Sequence, residues 1–575
     1  MKRRAGPVHV ATIRRHYKER VYETHLLRRT YREGGTVRNE TVGNLSHLPR
    51  PIIELVRRAL AGERFVALDE WQLGPGIAHG HVAAVLGLMR RLGLPGLLDP
   101  APSRQRDLAL ALIAARLLEP LSKLATSRCW GQSTLGAELG VGEADADECY
   151  AAMDWLLARQ DRIERRLARR HLAPGALVLY DLSSSYVEGR HCPLAHLGYS
   201  RDGKRGTLQI EYGLITDGEG RPIAIEVFAG NTADPATVAG ALDTLKRRFK
   251  LEQLVLVGDR GMLTSARLGE LAQRGMDWIT ALRAPQIQAL LAAGDLQLGL
   301  FDERNLAEIS SPAYPGERLV VCRNPALAEE RARTREDLLA ATEAKLAPIV
   351  ERVAAGRLRG KDRIGLAVGR VIDRHKVGKH FRVEITDDEL RIERRQEQIT
   401  AEAALDGIYV LRTSVAPTRL DPPEIVRAYK RLAKVERAFR SLKAIDLGVR
   451  PIRHWAPDRV RAHVFLCMLA YYVEWHLEDA WAPLLFKDEE PELTTDPVAP
   501  ARRSPGALRK ARTQHLEDGS PVHSLRTLLM ELATLTRNRI LLPGMPEEAS
   551  FEKLATATPL QARALALLGL TPAGV

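Results

Sequence analysis

The sequence predicts a multidomain α/β protein. A mixed-sheet core is interrupted by an α+β insertion subdomain and preceded by a β-hairpin and a helical N-terminal region. Three observations carry this reading. At 575 residues the chain exceeds one compact core, so three or four units are expected. Between residues 176 and 283, short apolar runs and amphipathic segments follow the order β-β-β-α-β-α-β, which gives a mixed sheet with helices on its faces. Regularity then lapses for over a hundred residues before another buried run, GIYVLRT at 407–413.

Residues 8–48 alternate apolar and polar around the turn Glu33-Gly34-Gly35-Thr36, the pattern of a β-hairpin. From 51 to 172 the periodicity is helical, broken at 93–96 and 131–142. Strands are expected at 176–182, 207–216 and 222–231, the last two joined by Asp217-Gly218-Glu219-Gly220. A helix at 232–250 opens on Thr-Ala-Asp-Pro; a strand at 253–258, a helix at 265–274 and a strand at 277–283 follow. Residues 325–357 form a long charged helix, and 364–392 alternate as strands. A basic helix follows Pro422-Pro423, 461–480 is an apolar core helix, and 487–506, rich in Pro and acid, is a linker or surface loop. These elements divide the chain into 1–60, a basic hairpin region, and 61–174, a helical domain for DNA binding or dimerisation. Core segments 175–300 and 406–482 flank an insertion at 301–405, and 483–575 is a linker and helical tail.

Charge narrows the function. The net charge of +13 favours a polyanionic partner, and residues 1–60 hold 14 Lys/Arg against 5 Asp/Glu. The five cysteines form no CxxC pair, which fits a reducing cytoplasm; the cluster His191, Cys192, His196 has no second half with ligand spacing. The N-terminus lacks an apolar signal region, and the longest apolar stretch, 464–473, is half a membrane span, so no membrane partner is expected.

Within this frame three acids stand out. Asp181 lies in the apolar run ALVLYDLSSS, Asp259 ends QLVLVGDRGM, and Glu436 sits in the basic helix EIVRAYKRLAKVERAFRSLK. Residues at the carboxyl ends of neighbouring strands converge, so adjacent first and fourth strands would bring Asp181 and Asp259 together. That is the arrangement of ribonuclease H-like folds. Carboxylates converging from separate elements can hold two divalent cations roughly 3.5–4 Å apart against a phosphate. Taken singly, Asp181 could instead cap a turn through Ser183 and Ser184, and Asp259 could pair with Arg260. Tyr429, Glu436 and Lys443 recur every seven residues, nearly one helix face, with Arg440 one turn beyond Glu436. Such a stripe suits phosphates beside metals, although an incidental Glu–Arg pair would look the same. Arg201, Lys204 and Arg205, in the loop GRHCPLAHLGYSRDGKRG, could grip DNA phosphates or simply form a solvated loop, and Arg260, beside Asp259, is a further DNA-binding candidate.

Tyr429-x6-Glu436-x6-Lys443 resembles the signature of DDE transposases of the bacterial insertion-sequence-four superfamily. The strings YDLSSSYVEG, LGYSRDGKRG, EVFAGNTAD, VGDRGM, ITALR, DRHKVGKHF, ALDGIYVLRTS and VERAFRSLK, with YREGGTVRNETVGNLSHLP near the start, are similar to its sixteen-thirty-four branch. The resemblance covers about residues 22–477. It implies a ribonuclease H-like core with an insertion between the second Asp and the Glu. It also implies Mg²⁺ (or Mn²⁺) held by Asp181, Asp259 and Glu436, cleavage at the terminal inverted repeats of a mobile element, and joining of the freed 3′-hydroxyl to target DNA. A homodimer in the synaptic complex and a cytoplasmic, nucleoid-associated location follow from the same likeness. The sequence departs from the signature at Leu432, where the family has Arg; Arg431 and Arg440 are the substitutes. A base-holding aromatic of the insertion would suggest Trp278, but its place in a strand favours the core. Two other readings stay open: a ribonuclease H-like endonuclease or resolvase without strand transfer, and an inactive, transposase-derived DNA-binding protein.

Overall fold

The computed structural model describes residues 6–18, 20–63, 65, 72–251, 253–297, 299, 301–491, 496–541 and 550–571. The first five residues of the basic arm and 492–495 of the expected linker lie outside them. The chain forms two compact units, Met1–Gly76 with Arg537–Ala555, and Ile77–Thr536 with Thr556–Val575.

In the first unit the expected hairpin is a three-stranded antiparallel meander, β1 (Val8–Tyr17), β2 (Arg20–Glu33) and β3 (Thr36–Asn44). The β2–β3 turn is Gly34-Gly35, at φ 56° and 80°, a left-handed pair that matches strand twist and favours glycine. The first turn has no glycine and bends at Lys18 (φ 56°), so the sequence pattern concealed it. Helix Arg50–Leu60 lies against β1. Strand β4 (Gln72–Ala78), within the stretch expected to be helical, belongs to a second small sheet with two late strands, Thr536–Leu541 and Phe551–Leu554.

The second unit begins with short helices between Gly80 and His171, then builds an eight-stranded mixed sheet. Its strands are β5 (Leu177–Tyr186), β6 (Gln209–Asp217), β7 (Pro222–Ala229), β8 (Val255–Gly258), β9 (Asp277–Ala281), β10 (Leu306–Ile309), β11 (Arg318–Arg323) and, later in the chain, Ile408–Thr413. The order β7-β6-β5-β8-β9 places β5 centrally; β5, β8 and β9 are mutually parallel, while β6 runs antiparallel to both of its neighbours, β5 and β7. β5 runs four residues beyond its expected end because β6 pairs with it through Tyr186 after β8 has stopped. β10 and β11, within residues expected to be insertion, extend the sheet past β9 through the Ile408–Thr413 strand. LAEI and RLVVCR are too short for alternation to reveal them.

Between β11 and Ile408 stands a small α+β body with its own core. Helix Pro325–Ala354 packs Leu346, Ile349 and Val353 on Ile364 and Val368 of helix Lys361–Ile372. A hairpin, β12 (Phe381–Ile385) and β13 (Leu390–Arg394), covers that cluster. The strands expected over 364–392 are therefore half helix. Ile364 and Val368 are four apart and share one helical face, which the alternating reading overlooked. The sheet resumes at β14 (Ile408–Thr413), paired with β11 and β9. Helix Pro457–Ala480, buried from Val460 to Val473 except at Arg461, packs on β7 and on helices Ala146–Leu157 and Arg104–Leu118. No described helix is long and apolar enough to cross a membrane.

Candidate active site

The last parallel pair between β5 and β8 is Tyr180 with Gly258. The next residue on each strand is an acid, so Asp181 and Asp259 leave the ladder side by side. Asp181 remains in β5, held by pairing with Leu214. Asp259 begins a tight turn in which its carbonyl accepts from Met262 and Leu263 and its carboxylate from Gly261 N (3.4 Å). Strand alternation puts Asp181 on the face that also carries Ser183 and Ser185. That face packs under helix Leu432–Arg440: Ser185 meets the Tyr212 hydroxyl at 3.0 Å, and the Tyr212 ring lies 5.7 Å from Phe439.

The basic segment is two helices rather than one. Pro422–Lys430 is capped by Asp421, the chain bends at Arg431, and Leu432–Arg440 follows, ending in a wide turn at Ser441–Ile445. Val435, Ala438 and Phe439 face inward, leaving Glu436 and Arg440 exposed. The Asp181 carboxyl is raised to about 7, chiefly by burial, with the fields of Asp259 and Glu436 acting the same way and the Leu182 N–H and Arg201 opposing them. Tyr429 is half-buried, and its hydroxyl is raised to about 12 by burial, then by Asp259, with Glu436 and Asp181 adding. It is therefore a protonated donor among three carboxylates.

Other site candidates divide. Lys204 lies 3.5 Å over the Tyr186 ring, and Arg205 is exposed on the same loop. Arg260 lines a cleft of about 780 Å³ together with Arg331, Lys376 and Lys379. Lys443 is buried and donates to Asp202 at 2.9 Å; Arg450 reaches the same carboxylate at 2.5 Å. Arg431 turns away to the β6–β7 turn, 3.2 Å from Glu219. Leu432 puts no cation here. Trp278 is 3% exposed, packed in β9 beneath Arg412.

Sequence reasoning missed Asp234. It reads as a helix start, yet a side chain at Gly261 would lie 3.5 Å from the Asp259 carboxylate and 3.9 Å from that of Asp234. Arg201 bridges Asp234 (2.6 Å) and buried Glu211 (3.3 Å). Asp202, also missed, fastens the other side of that loop to Tyr186 N.

Among the described residues no group of three His, Cys, Asp or Glu side chains forms a ready-made metal cage. The donor set nonetheless suits a hard cation that keeps several waters and is held by one or two carboxylates plus a substrate phosphate.

The transposase DDE domain model matches residues 178–473, and the IS1634 family transposase N-terminal domain model matches residues 10–69. No curated protein matches the chain. Among solved structures, a piggyBac transposase synaptic complex with hairpin DNA aligns at 8% identity and a TM-score of 0.35, over 80% of this chain and 82% of that one. That score is too low to bear on fold or site. The two family matches, the first spanning more than half of the chain, carry the assignment: the chain belongs to the DDE transposases, in the IS1634 branch.

Proposed function

We propose that this transposase cuts DNA at the ends of an insertion sequence and joins the freed 3′-hydroxyls to target DNA at a site built from Asp181, Asp259 and Glu436. The observation that supports this reading most is the pairing of Tyr180 with Gly258, which sets two carboxylates at adjacent strand ends beneath the Glu436 helix. The sheet order, three antiparallel strands followed by two parallel ones beside the first, supports reading it as a ribonuclease H-like core. In this reading 175–300 and 406–482 form the core and 301–405 the insertion, with 1–60, 61–174 and 483–575 as flanking regions.

Asp181, Asp259 and Glu436 would hold Mg²⁺, or Mn²⁺ in its place. When bound, such ions activate the attacking oxygen and neutralise charge on the phosphate. The chain's own groups do the rest. Tyr429 donates a hydrogen bond to a phosphate oxygen, Arg440 and Arg260 draw the backbone toward the carboxylates, and Lys204 and Arg205 hold it on the β5 side. Lys443 acts from behind, by fixing the loop that carries those two cations. Arg431 would hold the Glu436 helix to the β6–β7 turn. Terminal inverted repeats and target DNA are the substrates, and bringing two ends together calls for a homodimer, acting at the nucleoid in the cytoplasm.

The test is incubation of the full chain with Mg²⁺ and the DNA flanking its own gene. Cleavage at the repeat ends followed by joined products is expected. Cleavage with no joining, under conditions where 3′-hydroxyl ends accumulate, would reduce the protein to an endonuclease.

A further inference from the structure

The meander β1-β2-β3 has two faces of opposite character. The pairs Arg14 with Glu23, Arg29 with Glu40, and Glu33 with Thr36 lie on one of them. Helix Arg50–Leu60 covers part of that face, with Arg50 on Glu23 at 2.6 Å and Arg57 on Thr12 at 3.0 Å. All three described acids of these strands stand there, and each is matched: Glu23 by Arg14 (2.8 Å), Glu33 by Arg38 (3.3 Å), Glu40 by Arg29 (3.7 Å).

Alternation sends Arg15, Arg20, Arg28 and Arg32 to the opposite face, with Tyr17 and Tyr22 beside them. The bond from Thr30 to Asn39 (2.8 Å) confirms which side chains share it. Among the described residues of the strands, no acid faces this side. The two tyrosines are 66% and 52% exposed. Each of the four arginines stands opposite a residue without a carboxylate (Tyr22, Tyr17, His9 and Val37), so among the described residues this face offers four guanidiniums to an outside polyanion.

We propose that this arginine face, exposed at Arg15, Arg20 and Arg32, is a docking surface for duplex DNA, with the four arginines on phosphates and the tyrosines against the sugar–base edge. This rests on the transposase reading and adds where the N-terminal unit grips. The dimensions agree. From Arg20 to Arg32 the central strand runs about 40 Å at ~3.4 Å per residue, close to one helical turn of DNA, about 35 Å. The outer strands lie about 10 Å apart, against a major groove about 12 Å wide.

The test is metal-free binding of the full chain to the duplex flanking its own gene, across a salt series. A variant carrying Arg15→Ala, Arg20→Ala, Arg28→Ala and Arg32→Ala should bind on the order of 100-fold more weakly at near-physiological salt. The slope of log affinity against log salt should drop by about 0.9 per lost contact. The control, Arg14→Ala with Arg29→Ala and Arg38→Ala, should leave the slope nearly unchanged. Because four changes could disturb the strands, Arg20→Ala and Arg32→Ala are also made singly, each expected to lower the slope by about one. Equal slopes in the quadruple variant and wild type, or a larger loss in the control, overturn the docking face. A chain that binds through this face yet never cuts would defeat the cleavage reading alone; one that cuts while the quadruple variant binds normally would defeat the face alone.

Discussion

Asp181 and Asp259 each follow the same rung of one ladder, the Tyr180–Gly258 pair. Their closeness is therefore fixed by backbone hydrogen bonds and does not depend on side-chain packing. Conservative changes at either position should remove chemistry without moving the scaffold. Asp181→Asn, Asp259→Asn and Glu436→Gln are each expected to lower Mg²⁺-dependent cleavage by at least about 10³-fold, with duplex binding retained. Cleavage at the wild-type rate by any one of them would remove that residue from the site.

Tyr429 should matter through its hydroxyl alone. Tyr429→Phe keeps the half-buried ring, so unfolding should shift by less than about 1 kcal/mol. The cleavage rate should fall by about 100–1,000-fold, the size of one preorganised hydrogen-bond donor lost from the reacting group. Single-turnover rates with saturating DNA would reveal it; an unaltered rate would leave the tyrosine a packing residue.

Lys443 is placed to support the fold. Its partner Asp202 has a side chain only 1% exposed, so Lys443→Ala leaves a buried carboxylate with Arg450 and the Tyr186 N–H. A loss of about 1–3 kcal/mol in denaturant unfolding is expected, while the salt dependence of DNA binding stays close to wild type. Lys204→Ala with Arg205→Ala should do the reverse, flattening the salt slope by about two at unchanged stability. Swapped results would return Lys443 to the DNA surface.

Lys123 offers a pH test remote from the site. Its side chain is 4% exposed, and burial followed by the Arg116 charge lowers its ammonium to about 7 from the ordinary 10.5. The folded state thus favours the neutral amine. The stability this contributes is complete above the unfolded value and is lost as pH falls through the folded one, in the window from about 10.5 to 7. Lys123→Met should raise the unfolding midpoint at neutral pH by a few degrees and flatten this decline. An equal slope in both proteins over that window would show the amine charged in the fold.

Much of the core was legible because its strands follow simple patterns. The runs before Asp181 and Asp259 are apolar enough to read as buried strands, and the element order restricts which can be neighbours. Three things were not legible. β10 and β11 are four and six residues long and owe their pairing to a sheet assembled from distant segments. Ile364 and Val368 fit two periodicities at once, and only their packing on Leu346 and Val353 decides between them. Lys443 looked like a free cation because its partner, Asp202, lies far back in the chain. Spacing along a helix gives a face, but what that face meets depends on tertiary contacts.

Arg323 and Ile408 are direct partners at the end of the β11–β14 ladder. In effect the two strands form a hairpin whose turn has been replaced by an entire folded body. An excursion that departs from one rung and returns to it can be lengthened, trimmed or exchanged without altering strand register, so the carboxylates are insulated from whatever is grafted there. The grafted body can therefore change in size or surface while the register behind Asp181 and Asp259 stays as it is.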